Sequence, residues 1–487
     1  MKEFLLTLDR SSDERLQPQI RRQIVSAILN GSLPSGSAIP PSRKLASKLG
    51  IARITVTQTY QDLICDGYLF TKERSGIFVN DQLTAPVKKL PRKSSLDKEL
   101  ALPFKFTPSK KKTTKQPINW RDYRYPFVTA QVDKTLFPIS AWRDCSRQAL
   151  SLNAMSDWTE DRTGHDDPFL IEQIRTKLLP ARGIHANEDE ILVTAGAQNS
   201  LFMLTRILLD HSTLVGIENP GYPDLHNMVE LTGSQTRFLK VDEQGVIPDR
   251  QLNGCDLVCV TPSHQVPTTV TMSINRRYEL LEKAEKENFI IVEDDYEPEL
   301  NFERAHFPAI KSLDQTGRVI YVGSLSKSFF PGLRLGYLVA SASVIREIRA
   351  LGRLMHRHTP TNNQRTMAIF LAQGHHDSLR RLRHRTYKSR WLEMKYALEK
   401  STIDFQVQHS TGGSSLWVKG PETLDSEKLS QSALELGVVL EPGTIHYFEE
   451  GAPKNNFRLG YAAIDKSLIP EGISRLEQAV DRSIAIG

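Results

Sequence analysis

Residues Val319–Tyr337 read VIYVGSLSKSFFPGLRLGY, and the rest of the chain is ordered around this stretch. Val319–Val322 is an apolar run rich in β-branched residues, the pattern of a strand buried on both faces of a parallel sheet. It breaks at Gly323 into a polar turn, Ser324-Leu325-Ser326-Lys327, and Arg334 follows seven residues after the lysine. A lysine just past the carboxyl end of a buried strand lies in the crevice where open α/β sheets bind ligands. Desolvated there, beside another cation, a lysine loses its proton readily and acts as an amine nucleophile. The flanking hydroxyls and Arg334 suit a phosphate. In isolation such a lysine is better explained by a solvated loop, so the other segments decide.

From Trp120 onward, strand patterns alternate with helix patterns, which predicts an α/β fold with a mainly parallel sheet. Glu190–Thr194 reads as a strand that turns through Ala195-Gly196-Ala197-Gln198 into an apolar helix at Asn199–Leu209. A small-residue turn feeding a helix start offers unpaired backbone N–H groups to an anion. Leu214–Ile217 leads to Glu218-Asn219-Pro220-Gly221-Tyr222, and Tyr222 is placed to stack on a flat ring. Leu257–Val260 leads to Thr261-Pro262-Ser263-His264-Gln265, and Phe289–Val292 leads to Glu293-Asp294-Asp295-Tyr296. Asp294 and Lys327 therefore both follow strand ends and face one crevice.

That pairing has a chemical reason. Pyridoxal 5'-phosphate forms an imine with a lysine, needs an acid beside its pyridine nitrogen and needs an anion clamp for its phosphate. Lys327, Asp294 and Tyr296 are the expected ring contacts, and Ala197, Gln198, Ser324 and Arg334 the expected phosphate contacts. Later segments, Ser410–Val418 and Phe457–Tyr461 as strands and Ser426–Leu436 as a helix, suit a smaller C-terminal part. The arginine-rich run Leu379–Arg390 reads as a solvated helix face, and His375-His376 as surface.

The charge is unevenly placed. Net charge is +6, yet residues 1–80 hold eleven Lys/Arg against seven Asp/Glu, and residues 81–118 hold ten against three. The remainder is then net acidic, so a polyanion partner is expected for the first quarter only. Four cysteines without CxxC spacing argue against a zinc site or disulfide framework. No apolar run reaches membrane-spanning length and the start lacks a secretory pattern, so a cytoplasmic protein without membrane partner is expected.

Leu16–Leu29 places Ile20, Ile24, Ala27 and Ile28 on one helical face. Ser42 is a candidate N-cap for a helix Arg43–Leu49 that Gly50 stops, and a further helix runs from about Arg53 to Cys65. Two short helices about a tight turn form a helix-turn-helix. Tyr68–Phe70 and Gly76–Val79 then read as two strands of a wing. Residues 81–118, with Lys88-Lys89, Pro91-Arg92-Lys93 and Lys110-Lys111-Lys112 among prolines and hydroxyl residues, read as a basic flexible linker spanning about 35 Å as a coil.

These motifs resemble two families. Leu33-Pro34-Ser35-Gly36, Ile39–Ala46, Leu49-Gly50-Ile51, Arg53, Thr55-Val56, Tyr60, Leu63 and Asp66-Gly67-Tyr68 resemble the winged helix-turn-helix domain of GntR regulators. The resemblance implies that Arg43 lies at phosphate with Lys44 also on the DNA, that Arg53 and Thr55 meet the major groove, and that the wing tip, Arg74 to Gly76, meets the minor groove. Ala52 departs from the usual N-cap, and Ile54 either contacts a thymine methyl or packs. TAGAQ, ENPGYP, TPSHQ, EDDYE, SLSKSFFPGLRLGY and NFRLGY resemble fold-type I, aspartate-aminotransferase-like enzymes. In one chain the two resemble the MocR subfamily of GntR regulators.

The resemblance implies three parts: a DNA-binding domain at 1–80, the linker at 81–118, and a pyridoxal-phosphate and effector domain at 119–487. It implies Lys327 as the aldimine lysine, Tyr222 as ring neighbour, and Arg458 as the contact for an effector anion, unless Arg458 merely pairs with Glu449 or Glu450. Where relatives hold Asn-Pro-Thr-Gly, this chain has Val266-Pro267-Thr268-Thr269, so His264 or Gln265 would replace the lost asparagine contact. Asp224 stands where some relatives carry an arginine. The expected function is a regulator that binds operator DNA as a domain-swapped, head-to-tail homodimer and senses an amino-containing effector through the cofactor aldimine. An active aminotransferase with an attached DNA-binding domain, or a sensor of the cofactor itself, stays open, as does residual transamination.

Overall fold

Val319–Ser324 is a strand with every residue buried, as its composition requires. The computed structural model describes residues 6–81, 104–161, 164–303 and 307–485. The chain divides into two compact units, Met1–Phe104 and Lys105–Gly487. The lysine and arginine cluster at Lys88–Lys93 lies outside the described residues.

In the first unit, α1 (Leu16–Leu29), α2 (Ser42–Leu49) and α3 (Arg53–Cys65) precede a hairpin of β1 (Leu69–Lys72) and β2 (Gly76–Val79). Ile20, Ile24 and Ile28 of α1 close on Leu45 of α2 and on Val56, Tyr60 and Leu63 of α3. Each such burial contributes roughly 1.5–3 kcal/mol relative to exposure. Gly50 ends α2 in the left-handed region, φ 63°. The Tyr60 hydroxyl donates to Pro40 O at 2.8 Å, tying α3 to the loop before α2. Pro41 rather than Ser42 occupies the cap position of α2, one residue from the sequence reading.

In the second unit the large sheet contains β3 (Ile191–Thr194), β4 (Leu214–Asn219), β5 (Gln235–Asp242), β6 (Gly245–Val246), β7 (Leu257–Val260), β8 (Ile290–Asp295), β9 (Val319–Ser324) and β10 (Gly336–Val339). Their order across the sheet is β3-β10-β9-β8-β7-β4-β5-β6. The central run β9-β8-β7-β4-β5 is parallel, whereas β10 is antiparallel to both its neighbours. The sheet is thus mainly parallel, and the carboxyl ends of β8 and β9 lie side by side, with Asp294 opposite Val322. Gly323 is required where β9 meets β10, because a Cβ there would lie 2.3 Å from the Tyr337 ring.

A smaller sheet of β11 (Gln406–Val407), β12 (Ser415–Lys419), β13 (Glu441–Pro442) and β14 (Asn456–Gly460) packs with the helix Ile469–Ala485 around its own core. Trp417 of β12 and Glu441 of β13 both stand opposite Arg458 of β14, which fixes that arginine's neighbours.

Three expectations need correction. The arginine-rich run is part of a 25-residue helix, His375–Glu399, in which Arg380, Arg381 and Arg385 are exposed as the solvated-face reading expects, but two arginines are not. Arg383 and Arg390 are 5% and 6% exposed. Arg390 bonds Ala462 O at 2.7 Å and Asp133 at 2.5 Å, and Arg383 donates to Lys327 O at 3.0 Å, so each guanidinium is buried with a partner. His376 is also buried, stacked on Phe329 with ring centroids 5.6 Å apart. Finally, residues 105–118 belong to the second unit rather than to a free tether. Lys111 pairs with Glu230, Lys112 O accepts from Asn227, Thr113 donates to Asp224, and Gln116 donates to Thr129. The four cysteines are free, with Cys259 inside β7 and Cys255 just before it, both packed in the core.

Candidate functional site

A cavity of about 190 Å³ opens at the carboxyl ends of β3, β8 and β9 and is walled on its far side by the smaller sheet. It is lined by Lys327, Asp294, Tyr296, Tyr222, Ala197, Gln198, Ser324, Arg334 and Arg458, nine of the ten residues expected there. Lys327 sits in the single turn Leu325–Ser328, which Ser324 caps by accepting from Lys327 N at 3.3 Å. Its ammonium lies 5.9 Å from the Tyr296 ring centroid. Burial pushes Lys327 below the usual lysine range; Glu297 opposes this and Arg458 adds to it. The result is an amine closer to its nucleophilic form.

Alternation along β8 separates its acids. Asp294 faces the cavity with an enclosed Oδ1 that has no hydrogen-bond partner. Burial and the adjacent Asp295 carboxylate push Asp294 up to about 7, against the pull of Lys327. Asp295 turns away and accepts from Arg182 and Tyr321, both at 2.7 Å. Glu293 accepts from the backbone N–H groups of Ile310 and Lys311, both at 2.8 Å, beside Arg277. The sequence reading missed Arg182 and Arg277, two basic residues from distant segments that are buried behind the sheet end.

Arg334 has φ 52° and donates to Ala195 O at 2.9 Å. Its guanidinium passes Gly196 so closely that a Cβ there would lie 3.0 Å from Nη2. Directly after Gly196, the helix Ala197–Leu208 begins without a side-chain cap. Arg334, the free helix start and Ser324 thus form one anion-sized cradle. Asp224 gathers Tyr222 Oη at 3.2 Å, Gln198 at 3.2 Å and Thr113 at 2.9 Å, so its carboxylate is engaged where an arginine was the alternative.

His264 is the exception. It is buried with neither ring nitrogen partnered and is absent from the cavity wall. The turn after β7 folds back through Thr269 N to Gln265 O at 2.7 Å, placing His264 beside Gly413 instead. Gln265 is spent on Glu218, Pro220 O and Thr268, so it does not replace the asparagine either.

Arg458 pairs with Glu441 at 3.0 Å, not with Glu449 or Glu450, and donates to Ser415 Oγ at 3.0 Å. Its Nε is buried without a partner. Glu441 also accepts from His446 at 3.0 Å and Thr129 at 2.6 Å, and Arg458 holds it well below the usual carboxylate range despite burial. Glu441, His446, Thr129, Gln116 and Glu297 all line the cavity. Of these, Glu297 closes the EDDYE motif, and the others follow no signal read in the sequence.

In the first unit, α3 begins after Ala52 with no side-chain cap, leaving its first N–H groups open. Arg53 stands at its first position and is exposed; Thr55 follows, half-buried. Arg43 and Lys44 are exposed in the first turn of α2, and Arg74 and Gly76 at the hairpin tip. None of these four cations has an ion-pair partner among the described residues. Ile54 is 68% exposed, so it does not pack.

Residues 16–79 match the model of bacterial regulatory proteins of the gntR family, and residues 129–476 that of aminotransferase class I and II. The chain is 39% identical to the HTH-type transcriptional regulator TauR of Rhodobacter capsulatus, over 96% of both chains. It is 30% identical to the probable rhizopine catabolism regulatory protein MocR of Rhizobium meliloti, over 98% of this chain and 96% of that one. The chain belongs to the MocR subfamily of GntR regulators. It is a DNA-binding transcription regulator with an aminotransferase-fold domain. Among solved structures, the regulator is similar to a kynurenine aminotransferase of Pyrococcus horikoshii in complex with PMP (28% identity, TM-score 0.69, covering 74% of this chain and 91% of that one). It is also similar to LysN, an α-aminoadipate aminotransferase of Thermus thermophilus complexed with N-(5'-phosphopyridoxyl)-L-leucine (26%, 0.69, 76% and 96%). Among the described residues no helix is long and apolar enough to cross a membrane, and no cluster of acids, histidines and cysteines is suited to a metal ion.

The buried acids give this MocR-type regulator a pH signature. Asp294, Glu218 and Glu293 are each pushed up to about 7, chiefly by burial. A carboxyl raised in the folded state binds a proton that the unfolded chain has lost, so its contribution falls as pH rises through about 7. His226, His264 and His376 are lowered by burial and act oppositely, but only below the usual histidine value of 6.5. Between pH 6.5 and 8 the acids therefore decide. The melting temperature of the cofactor-free protein is expected to fall across that window, with Asp294 alone contributing on the order of 1 kcal/mol. Asp294→Asn should flatten the slope in a calorimetric pH series.

Proposed function

We propose that the second unit holds pyridoxal 5'-phosphate at Lys327 and reads an amino-containing small molecule, whose arrival changes how the winged-helix unit holds operator DNA. The observation that carries this reading is the meeting of Lys327, the unpartnered Asp294 Oδ1 and the Arg334–Gly196 cradle in one cavity. The residues fit the cofactor: an amine, an acid lacking a donor, and an anion cradle are the three groups its chemistry asks for. When bound, pyridoxal phosphate supplies an electrophilic carbon to amines.

The chain's own residues do the rest. Lys327 presents an amine whose proton is weakly held. Asp294, enclosed and without a donor, accepts from a protonated ring nitrogen and keeps that proton in place. Arg334, Ser324, Ala197 and Gln198 bind the phosphate. Tyr222 and Tyr296 orient the ring from the cavity wall. Arg458 keeps Nε, buried without a partner, for an electron-rich group of the effector. On the DNA side, Arg43 and Lys44 hold phosphates and the wing tip, Arg74 to Gly76, meets the minor groove, while Arg53 and Thr55 reach base edges. A head-to-tail, domain-swapped homodimer would place two such units on paired half-sites, as two-fold symmetry favours.

The test follows two signals at once. Cofactor-loaded protein is titrated with a panel of amines and amino acids while its visible absorbance and its affinity for a labelled fragment of its own upstream region are recorded. At least one compound is expected to move both with the same half-saturation. Multiple turnovers with a keto acid and no change in DNA affinity would contradict the reading.

A further inference from the structure

The acids and cations of the cavity wall do not cancel once each is assigned. The wall carries Asp294, Glu297 and Glu441 against Lys327, Arg334 and Arg458. The proposed cofactor takes up Lys327, Asp294 and Arg334. Glu441 and Arg458 neutralise each other at 3.0 Å, and His446 and Thr129 complete the donor set of that carboxylate. Glu297 is left over.

Glu297 is 6% exposed and lines the cavity. Among the described residues it has no ion-pair partner. Its hydrogen-bond donor is the Ser414 hydroxyl, at 3.0 Å from one oxygen and 2.8 Å from the other. One hydroxyl carries one proton, so at least one buried carboxylate oxygen lacks a donor. Glu297 also exerts the largest charge effect on Lys327, so it stands near that lysine. A buried carboxylate without a counter-cation is costly, and a cationic ligand relieves that cost.

We propose that Glu297 is the recognition residue for a second cationic nitrogen of the effector, so that the effector class is diamines and diamino acids rather than simple monoamines. This rests on the function proposed above, in which one amine of the effector takes the place of Lys327 on the cofactor and the lysine leaves as an uncharged amine, the form its burial favours. The second nitrogen donates to the open oxygen of Glu297 and supplies the positive charge the wall lacks.

The experiment uses full-length, cofactor-loaded protein and matched probes that differ by one terminal amine: 1,5-diaminopentane against pentylamine, and lysine against norleucine. Half-saturation is read from visible absorbance and from DNA affinity. The doubly aminated member of each pair is expected to half-saturate at a concentration about tenfold or more lower. Glu297→Gln, which still accepts the Ser414 hydroxyl bond, should bring the ratio close to one, and Glu297→Asp should reduce it in part. A ratio near one in the wild type, or a ratio that survives both substitutions, overturns the assignment while leaving amine sensing intact. No absorbance response to any of the four probes overturns the assignment, and only silence across the wider amine panel removes the underlying reading as well.

Discussion

Lys327→Ala is expected to emerge from cofactor incubation and gel filtration without a visible absorbance band and without any response of DNA binding to amines. Among the described residues Lys327 is the only lysine of the cavity wall, so covalent attachment has no substitute there. The remaining contacts, Asp294 and the Arg334 cradle, hold an acid-paired ring and a phosphate but form no bond to carbon. The substitution spares the local backbone: Lys327 N still reaches Ser324 Oγ, and Lys327 O still accepts from Arg383. Removing a buried amine whose ammonium is already disfavoured leaves little to lose in stability, so the loss is one of chemistry. Absorbance spectra of wild type and variant, and an amine titration of operator affinity, check it. A variant that keeps the band and the amine response would show that another group holds the cofactor.

Arg53→Ala is expected to weaken binding to the cognate operator by about 10- to 100-fold, in line with the 1–3 kcal/mol of a good base contact. Arg53 is exposed at the first position of α3, where uncapped backbone N–H groups point the same way along the helix axis. Lys44→Ala should instead weaken all DNA sequences evenly and reduce the salt slope by about one. Fluorescence anisotropy with cognate and scrambled duplexes at several salt concentrations separates the two. Equal losses for both variants on both duplexes would remove Arg53 from base readout.

Much of this architecture is visible in the chain because the deciding residues sit next to strong local signals. The buried run Val319–Val322 locates Lys327, and the apolar strand before Glu293 locates Asp294, since each follows a strand end directly. The helix-turn-helix is legible for the same reason, with Gly50 and Gly67 closing helices at positive φ. What escapes is long-range. Glu441 meets Thr129 across 312 residues and Arg390 meets Asp133 across 257, pairings that no periodicity encodes. Arg383 and Arg390 look solvated by composition, yet backbone carbonyls of neighbouring segments satisfy them in the interior. Residues 105–118 look like a tether because their lysines mask bonds made by Thr113 and Gln116. His264 was misplaced because the conformation of the turn after β7, not its position in sequence, determines which side chain meets the cavity.

The most direct measurement is borohydride reduction of the protein after incubation with pyridoxal 5'-phosphate, followed by peptide mass spectrometry. Stoichiometric phosphopyridoxyl addition on the peptide containing Lys327 is the result the account predicts. An unmodified Lys327, with the label scattered over surface lysines or absent, would contradict it.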